Sequence, residues 1–406
     1  YSYTGDFQWQ KGSDLFSNII IDGENYNLGN SISNANTHSL NTLLDFQKFY
    51  RYLGLNKFTG DSSRRGPDRG FAVQSRDNSG SKKVNPILKS FIKLITNLKR
   101  IQINYSENNG TFLPGYLETP GFFGSLNPSW GYIFGSQKDI RYLAARNGWL
   151  TVFPEFNQQY TSTTNKNLAF SANLVPINDL KIDLTAGRTY ASNMTENFNT
   201  IDTNNDGLSN IYNPLIQNTI GNFNISTVLI KTAFSKSDEF GSETFDAFRQ
   251  NRLIIARRLA ARSGVDLSNP NNFEGGDLSG YPLGFGKTNQ SVLLPAFLSA
   301  YSGSDANSVE LGAFRSIPIP NWDIKYTGFM KMKWFRKKFK RFSISHGYTS
   351  KYTINQFRSN LDYIQPDFSI EFPLQNPELF DQSNNYKNEN LFSNINLMEQ
   401  FSPLIK

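Results

Sequence analysis

Apolar and polar side chains alternate along residues 342–354, almost without interruption. Because neighbouring side chains of a β-strand point to opposite faces, this pattern predicts a strand with an aromatic face and a small, polar face. In a soluble sheet the aromatic face would meet a protein core, whereas in a transmembrane barrel it would meet lipid while the polar face lined a wet lumen. The aromatic face carries Phe342, Ile344, His346, Tyr348, Tyr352 and Ile354, and the polar face carries Ser343, Ser345, Gly347, Thr349, Lys351 and Thr353.

The same alternation recurs on both sides of a turn at residues 176–179, where Pro, Asn and Asp are typical turn formers. Two alternating segments joined by a short turn predict a β-hairpin. Further strands are predicted near residues 1–9, 101–105, 223–234 and 322–327. One side of the hairpin carries Leu168, Phe170, Ala172, Leu174, Leu180, Ile182, Leu184 and Ala186, and the other carries Ala169, Ser171, Asn173, Lys181, Asp183 and Thr185.

Residues 241–310 break this pattern and favour helices. Ser242 precedes a run with helical spacing of apolar residues, which predicts a helix start, and Gly264 is a plausible helix end. A second helix is predicted at about 292–301. We therefore expect 241–310 to be a helical and loop insertion between strands. A further helix is predicted over residues 85–97.

Composition narrows the classes of protein that the chain represents. No stretch of about 18 apolar residues occurs, which excludes a conventional transmembrane helix but leaves a barrel open, since barrel strands need only every second residue apolar. The 14% aromatic content suits interfacial girdles of a barrel, although large β-sandwiches and carbohydrate-binding proteins are aromatic-rich too. The lack of cysteine excludes disulfides and cysteine-based metal or redox chemistry, and two histidines exclude a multi-histidine zinc site.

One motif matches the first half of a calcium-binding loop. Asp202, Asn204, Asp206 and Gly207 form D-x-N-x-D-G, which places oxygen ligands at alternate positions and glycine at the sharp turn. The twelfth position is Asn213 rather than the bidentate glutamate. The motif is therefore either an Asn/Asp-rich turn or a weak calcium site, and no other cofactor is expected.

Positive charge is the other chemical feature of the chain. The net charge of +7 permits nucleic-acid binding, but the basic residues form no recognisable nucleic-acid motif, so we expect no such partner. Residues 331–341 hold seven Lys or Arg and are either a solvated turn or a contact for anionic headgroups at a membrane surface. His346 is interpreted as structural. The absence of G-x-S-x-G, P-loop and H-E-x-x-H motifs indicates that the chain is not an enzyme.

Several short phrases resemble, in order and spacing, the SprA/Sov family of giant outer-membrane proteins of the type IX secretion system in Bacteroidetes. The resemblance runs along nearly the whole chain. It is carried by Leu113-Pro114-Gly115-Tyr116, Pro120-Gly121-Phe122, Phe134-Gly135-Ser136-Gln137, Asn147-Gly148-Trp149-Leu150-Thr151, Asp179-Leu180-Lys181-Ile182-Asp183-Leu184, Asn193-x-Thr195-Glu196-x-Phe198, Phe245-Asp246-x-Phe248-Arg249 and Pro320-Asn321-Trp322.

This resemblance implies an all-β fold: a segment of a very large antiparallel transmembrane β-barrel with a helical insertion and long loops. Residues 1–406 would form part of one barrel that does not close by itself, and the chain would be a fragment. The implied function is a protein-conducting outer-membrane translocon that passes folded cargo and is required for secretion and gliding motility. The implied partners are the rest of the same polypeptide, a smaller barrel of the PorV type at a lateral opening, a periplasmic plug protein, secreted cargo and outer-membrane lipid.

In such a barrel, the alternation predicts which side chains face the water-filled lumen and which face lipid. A wide pore needs a lumen wall of small, polar side chains, so that cargo slides without sticking. The predicted lumen-facing residues are Ser171, Asn173, Lys181, Asp183, Ser343, Ser345, Thr349 and Thr353. The predicted lipid-facing residues are Leu168, Phe170, Leu174, Leu180, Ile182, Leu184, Ile344, Tyr348 and Tyr352.

Two alternatives remain open at the level of sequence. The first is a smaller outer-membrane barrel, such as a nutrient transporter or an adhesin. The second is a soluble extracellular β protein that binds or cleaves carbohydrate. The soluble protein would be released from cells without detergent, whereas a barrel segment would require detergent.

Overall fold

A computed structural model describes residues 1–16, 19–52, 98–120, 127–275, 280–368 and 376–402. The predicted helix at 85–97 lies outside these ranges. The strands are β1 Ser2–Gln10, β2 Ile19–Ile21, β3 Glu24–Tyr26, β4 Asn30–Asp45, β5 Leu98–Tyr116, β6 Gln159–Ile177, β7 Leu180–Ile201, β8 Ile211–Ser226, β9 Ser237–Asp238, β10 Gly241–Ser242, β11 Asn321–Tyr326, β12 Ile344–Ser359 and β13 Asn390–Phe401. The α-helices are α1 Phe46–Tyr52, α2 Trp130–Ile133, α3 Arg141–Arg146, α4 Glu243–Arg262, α5 Gln290–Ser302 and α6 Lys333–Lys338. Short 3₁₀ helices cover Asp14–Phe16, Pro270–Asn272, Gly328–Lys331 and Pro377–Leu379.

One antiparallel sheet of nine strands organises the described part of the chain, which confirms the predicted predominance of β-structure. Its order is β1-β4-β5-β6-β7-β11-β12-β13, with β8 also paired to β7 and β12. The predicted hairpin is confirmed, because β6 and β7 pair antiparallel and only Asn178 and Asp179 separate them. We call the end of the sheet that holds this turn the turn end, and the opposite end the cap end.

Strands β8 and β11 share one position in the sheet. The cap-end part of β7 pairs with β8, as in Tyr190 opposite Phe223, whereas its turn-end part pairs with β11, as in Leu184 opposite Trp322. The chain leaves the sheet after Ser226 and returns at Asn321. The strand predicted over 223–234 therefore ends at Ser226, because the chain turns out of the sheet there.

The segment between these two half-strands, residues 227–320, is called the insertion. It contains both predicted helices. Ser242 caps α4 as expected, since its side chain accepts a hydrogen bond from the Phe245 N–H, and α4 ends just before Gly264. The second helix, α5, ends at a left-handed Gly303. Among the described residues, no helix is both long and apolar enough to cross a membrane.

Two groups of side chains pack on the same face of the sheet towards the cap end. The connection between β5 and β6, which we call the cap, places Tyr132, Ile140 and Ala144 against Leu113 and Phe198 of the sheet. The insertion places α5 on β8 and β12. The residues of that second contact are Leu294, Leu298, Phe223, Ile225, Tyr352, Ile354 and Phe357.

Candidate functional site

Strand pairing divides the sheet into two chemically different faces, and these faces are the candidate functional surface. Residues opposite each other in neighbouring strands share a face, so the register links positions across the whole sheet. Leu168 lies beside Tyr105 and Arg188, and Ala172 lies beside Ile101 and Leu184. The face that contains them is called the apolar face. All nine predicted lipid-facing residues lie on it: Leu168, Phe170, Leu174, Leu180, Ile182, Leu184, Ile344, Tyr348 and Tyr352.

Between the cap and the turn end, the apolar face carries a band of partly exposed apolar side chains on strands β4 to β7. Leu40 is 39% exposed and Leu44 is 44% exposed, and the side chains on the neighbouring strands are half-buried. None of these side chains belongs to a buried cluster formed by described residues. The band consists of Leu40, Leu44, Ile101, Ile103, Leu168, Phe170, Leu174, Leu180, Ile182 and Leu184.

The same face becomes polar towards the cap end, where protein covers it. Asn34 Nδ2 donates to the Tyr132 carbonyl at 3.0 Å, and Asn36 Nδ2 donates to the Gly135 carbonyl at 2.8 Å. Buried amides require such partners, and the cap backbone supplies them. Towards the cap end, the apolar band therefore stops at a defined boundary. Beyond it, the same face is polar and is covered by the cap.

The opposite face, called the polar face, is lined by small uncharged polar side chains. Some of them are bonded across strands, as in Thr37 Oγ1, which donates to Asn108 Oδ1 at 2.8 Å. On strands β4 to β7 its charged residues lie near the turn end. Representative members are Ser33, Thr37, Asn104, Ser106, Asn165, Asn167, Ser171, Thr185, Thr189, Asn193, Asn222, Asn224, Thr349 and Thr353.

The predicted lumen-facing residues within strands lie on this polar face. They are Ser171, Asn173, Lys181, Asp183, Ser345, Thr349 and Thr353. Asp183 accepts hydrogen bonds from Asn173 and from Lys181, whose Nζ lies 2.6 Å from Asp183 Oδ2. Ser343 requires a correction, since β12 begins at Ile344 and Ser343 lies in the preceding connection.

The structure also corrects the environment predicted for two tyrosines. Tyr348 and Tyr352 lie on the predicted face, but each is only 1% exposed, so neither is open to lipid. The Tyr352 hydroxyl donates to the Ala313 carbonyl of the insertion at 3.1 Å, and the Tyr348 hydroxyl accepts from the Leu229 N–H at 2.7 Å. The alternation predicted their face but not the insertion that covers it.

His346 lies on the apolar face near the turn end. Its ring centroid is 6.5 Å from that of Trp322 and 6.2 Å from that of Phe401. His346 is therefore part of a group of neighbouring aromatic rings. This placement suits the structural role expected for it.

The candidate calcium loop joins β7 to β8. Asp202 Oδ1 accepts from the Asn204 N–H at 3.0 Å, Asp202 Oδ2 accepts from the Gly207 N–H at 2.7 Å, and Asp206 Oδ1 accepts from the Leu208 N–H at 2.9 Å. Asn213 lies on β8, where its side chain donates to Asn199. In the part of the chain that the structure describes, no cluster of three or more His, Cys, Asp or Glu side chains could hold a metal ion. Calcium binding by Asp202, Asn204 and Asp206 stays a prediction.

A buried ionic cluster between the cap and the sheet was not predicted from the sequence. Arg141 Nη1 of α3 lies 2.5 Å from Glu196 Oε1 on β7, and the Tyr212 hydroxyl donates to the same oxygen at 2.6 Å. Glu196 is 2% exposed. Arg141 also forms hydrogen bonds with the Asp139 carboxylate. Burial alone would raise the pKa of Asp139, but the hydrogen bonds and positive charge of Arg141 outweigh burial and hold that pKa below its usual range.

Three of the phrases that carried the family resemblance meet around this cluster, whereas those at 179–184, 245–249 and 320–322 lie elsewhere in the fold. Leu113, Tyr116, Leu150 and Phe198 are all buried in the contact between cap and sheet. They come from separate segments of the sequence, so their convergence was not evident from spacing. Pro120 is described, whereas the rest of its phrase lies outside the described ranges.

No protein-family model matches the chain, and no curated protein matches it.

Proposed function

We propose that the chain forms part of a transmembrane β-barrel in a bacterial outer membrane, and that this barrel is the protein-conducting translocon of the type IX secretion system. The apolar band faces lipid in this proposal, and the polar face lines the pore. The carrying observation is the division of one continuous antiparallel sheet into an apolar and a polar face.

The dimensions of the band support a membrane crossing. A transmembrane strand needs about 9–11 residues. On β6, the stretch from Leu168 to the strand end at Ile177 has this length. The whole of β6 has 19 residues and β7 has 22, so both strands continue well beyond such a crossing. The cap-end half of the sheet, where polar residues bond to the cap, would stand outside the lipid.

The two sheet edges support a wide barrel. Strands β1 and β13 are each paired on one side only within the described part of the chain. An unpaired strand edge cannot remain in hydrocarbon, because its N–H and C=O groups would lack partners. The edges beside the apolar band are the part of β4 beyond Ser39, which β1 does not reach, and the last residues of β13. Closure in this proposal requires further strands from the rest of the polypeptide.

The chemistry of the polar face fits the passage of protein rather than recognition of one solute. Ser, Thr and Asn side chains offer water-like hydrogen bonds, and beyond Lys181 and Asp183 the polar face of β7 carries no charge. Along the cap-end part of this strand, folded cargo would therefore meet a surface without charged side chains. The proposed partners are a smaller PorV-type barrel at a lateral opening, a periplasmic plug and the secreted cargo.

Spin labelling tests the membrane assignment. Because the chain contains no cysteine, Phe170→Cys and Ser171→Cys each introduce a single thiol into this part of the protein. The two positions lie on opposite faces of the sheet. In the full-length protein in lipid nanodiscs, a nitroxide at 170 should be relaxed by oxygen and one at 171 by a water-soluble nickel chelate. Equal relaxation of both labels by the nickel chelate would overturn the barrel and favour a soluble β protein.

Photo-cross-linking tests the translocon assignment. A photoreactive amino acid at Ser171 or Asn193 of the polar face should capture secreted cargo proteins in living cells, whereas the same group at Phe170 should not. A barrel that passes the spin-label test but yields no cargo adducts at either polar-face position is a smaller transporter or an adhesin.

A further inference from the structure

At the turn end, β11 and β12 are joined by a segment that combines positive charge with exposed aromatic side chains. Residues 331–341, here called the basic segment, contain seven Lys or Arg and no acidic residue. Helix α6 lies within it and has Arg336, Lys337 and Lys338 in its last turn. The carbonyl end of a helix favours cations, so the charges are concentrated where the backbone tolerates them best.

The basic segment has a packed aromatic base and an exposed apolar surface. The Phe335 ring lies 5.0 Å from that of Phe329 and 5.0 Å from that of Phe342. Phe329 in turn lies 5.1 Å from the ring of Tyr326, the last residue of β11, which connects the segment to the sheet. Two other apolar side chains of the segment are exposed to solvent: Trp334 is 61% exposed and Met332 is 53% exposed. A solvated turn gains nothing from presenting such side chains to water.

The charges of the basic segment are largely unpaired. Lys331 forms an ion pair with Asp179 of the β6–β7 turn. Among the residues that the structure describes, the other six cations of the segment form no ion pair: Lys333, Arg336, Lys337, Lys338, Lys340 and Arg341.

The basic segment is continuous with the apolar face. It follows Tyr326, the last residue of β11, and precedes Ile344, the first residue of β12, and both of these lie on the apolar face. Positive charge and exposed aromatic rings thus stand at the border of the apolar band, at the height where a bilayer surface would lie if the band spans the hydrocarbon.

We propose that the basic segment binds the phosphate groups of anionic phospholipids at the bilayer surface, with Trp334 and Met332 inserted at the headgroup boundary. Each Lys or Arg near an anionic membrane surface adds to the attraction, and aromatic rings prefer the same depth. The segment then sets the vertical position of the barrel in the membrane. This inference rests on the proposed function, because it takes the apolar band to face lipid.

Two spin-label positions separate the inference from the proposed function. In nanodiscs that contain phosphatidylglycerol, a nitroxide at Met332→Cys should report headgroup depth, and one at Ile182→Cys should report the hydrocarbon. A label at 332 that stays in water while the label at 182 lies in hydrocarbon overturns the inference alone. A label at 182 in water overturns the proposed function and, with it, the inference.

A charge variant tests the chemistry of binding. Lys337→Ala/Lys338→Ala should retain at least about tenfold less phosphatidylglycerol than the natural protein in native mass spectrometry of the full-length protein. The matched control, Lys138→Ala/Arg146→Ala, removes the same charge from exposed side chains of the cap and should retain normal amounts. Equal losses in both variants, or equal retention of phosphatidylcholine and phosphatidylglycerol by the natural protein, would overturn the proposal.

Discussion

Asn321 and Ser350 exchange two hydrogen bonds at the point where β8 gives way to β11. The Ser350 N–H donates to Asn321 Oδ1 at 2.9 Å, and Asn321 Nδ2 donates to the Ser350 carbonyl at 3.3 Å. Across the same gap, the Gly187 N–H donates to Ser226 Oγ at 3.1 Å. Side chains therefore replace the backbone bonds that an uninterrupted strand would make, and the insertion leaves the sheet without breaking it.

Asn321→Ala should destabilise the sheet by about 1–3 kcal/mol, because it leaves a buried N–H without a partner. The Ser350 carbonyl keeps the Thr227 N–H at 3.1 Å, so the orphaned group is the Ser350 N–H. Thermal unfolding of the full-length protein measures the change. Asn355→Ala, at an exposed position of β12, is the control and should shift stability by less than about 0.5 kcal/mol. Similar shifts for the two variants would show that the side-chain bridge contributes nothing.

In the proposed barrel, Ile182→Arg should impair assembly far more than Lys181→Ala, since a cation on the lipid side is unfavourable, by up to about 2–4 kcal/mol at the midplane. Thr189→Arg is the matched control, because it places the same side chain on the opposite face of the same strand. The amount of protein in isolated outer membranes measures assembly. If Ile182→Arg and Thr189→Arg are equally abundant, the assignment of the faces is wrong.

Local alternation was sufficient to predict the faces of the sheet. Phe170 and Ser171 are neighbours, and a strand places neighbours on opposite faces regardless of tertiary context. The same rule placed Tyr352 correctly but could not show its burial, because the helix that covers it is formed by a different part of the chain.

Contacts between distant segments could not be predicted from local sequence patterns. Strands β8 and β11 share one position in the sheet although the whole insertion separates them in the sequence. No periodicity in the sequence predicts this arrangement. The pair of Arg141 and Glu196 likewise joins separate segments. Glu196 stood within one of the family phrases, which was the only available signal that this position mattered.

The cap should loosen from the sheet in acid. The pKa of Asp139 is lowered in the folded protein, so the unfolded chain binds more protons as pH falls below the ordinary value of about 3.9. The stabilisation is therefore complete above that value and is lost as pH falls through the lower, folded pKa. The hydrogen-exchange protection of α3, measured relative to the intrinsic exchange rate at each pH, should therefore decrease below about pH 4.

Asp139→Asn serves as the control for this pH effect. It removes the titrating carboxyl, so the protection of α3 should be lower at neutral pH and should lose its acid-dependent decrease. A step of unchanged size in Asp139→Asn would assign the effect to another group.

The calcium hypothesis predicts that millimolar Ca²⁺ raises the unfolding temperature and that Asp202→Asn abolishes the rise, because ligands that bind only the folded state stabilise it. Mg²⁺ at equal concentration controls for ionic strength. Since Asp202 accepts two backbone hydrogen bonds in the loop, the variant should also lower the baseline stability. A rise with Ca²⁺ that persists in Asp202→Asn places the ion elsewhere.

Leu298→Ala should release the insertion from the sheet. Leu298 is 6% exposed and packs with Leu294 of α5 against Tyr352 and Ile354 of β12, and truncation of such a leucine costs about 2–5 kcal/mol. Limited proteolysis should then cleave the insertion faster while the strands stay protected, because the sheet keeps its own hydrogen bonds across the junction. Leu298→Met nearly conserves volume and should cost less than about 1.5 kcal/mol. If Leu298→Ala exposes strands and insertion together, the two unfold as one unit, and the side-chain bridge at the junction couples them rather than insulating one from the other.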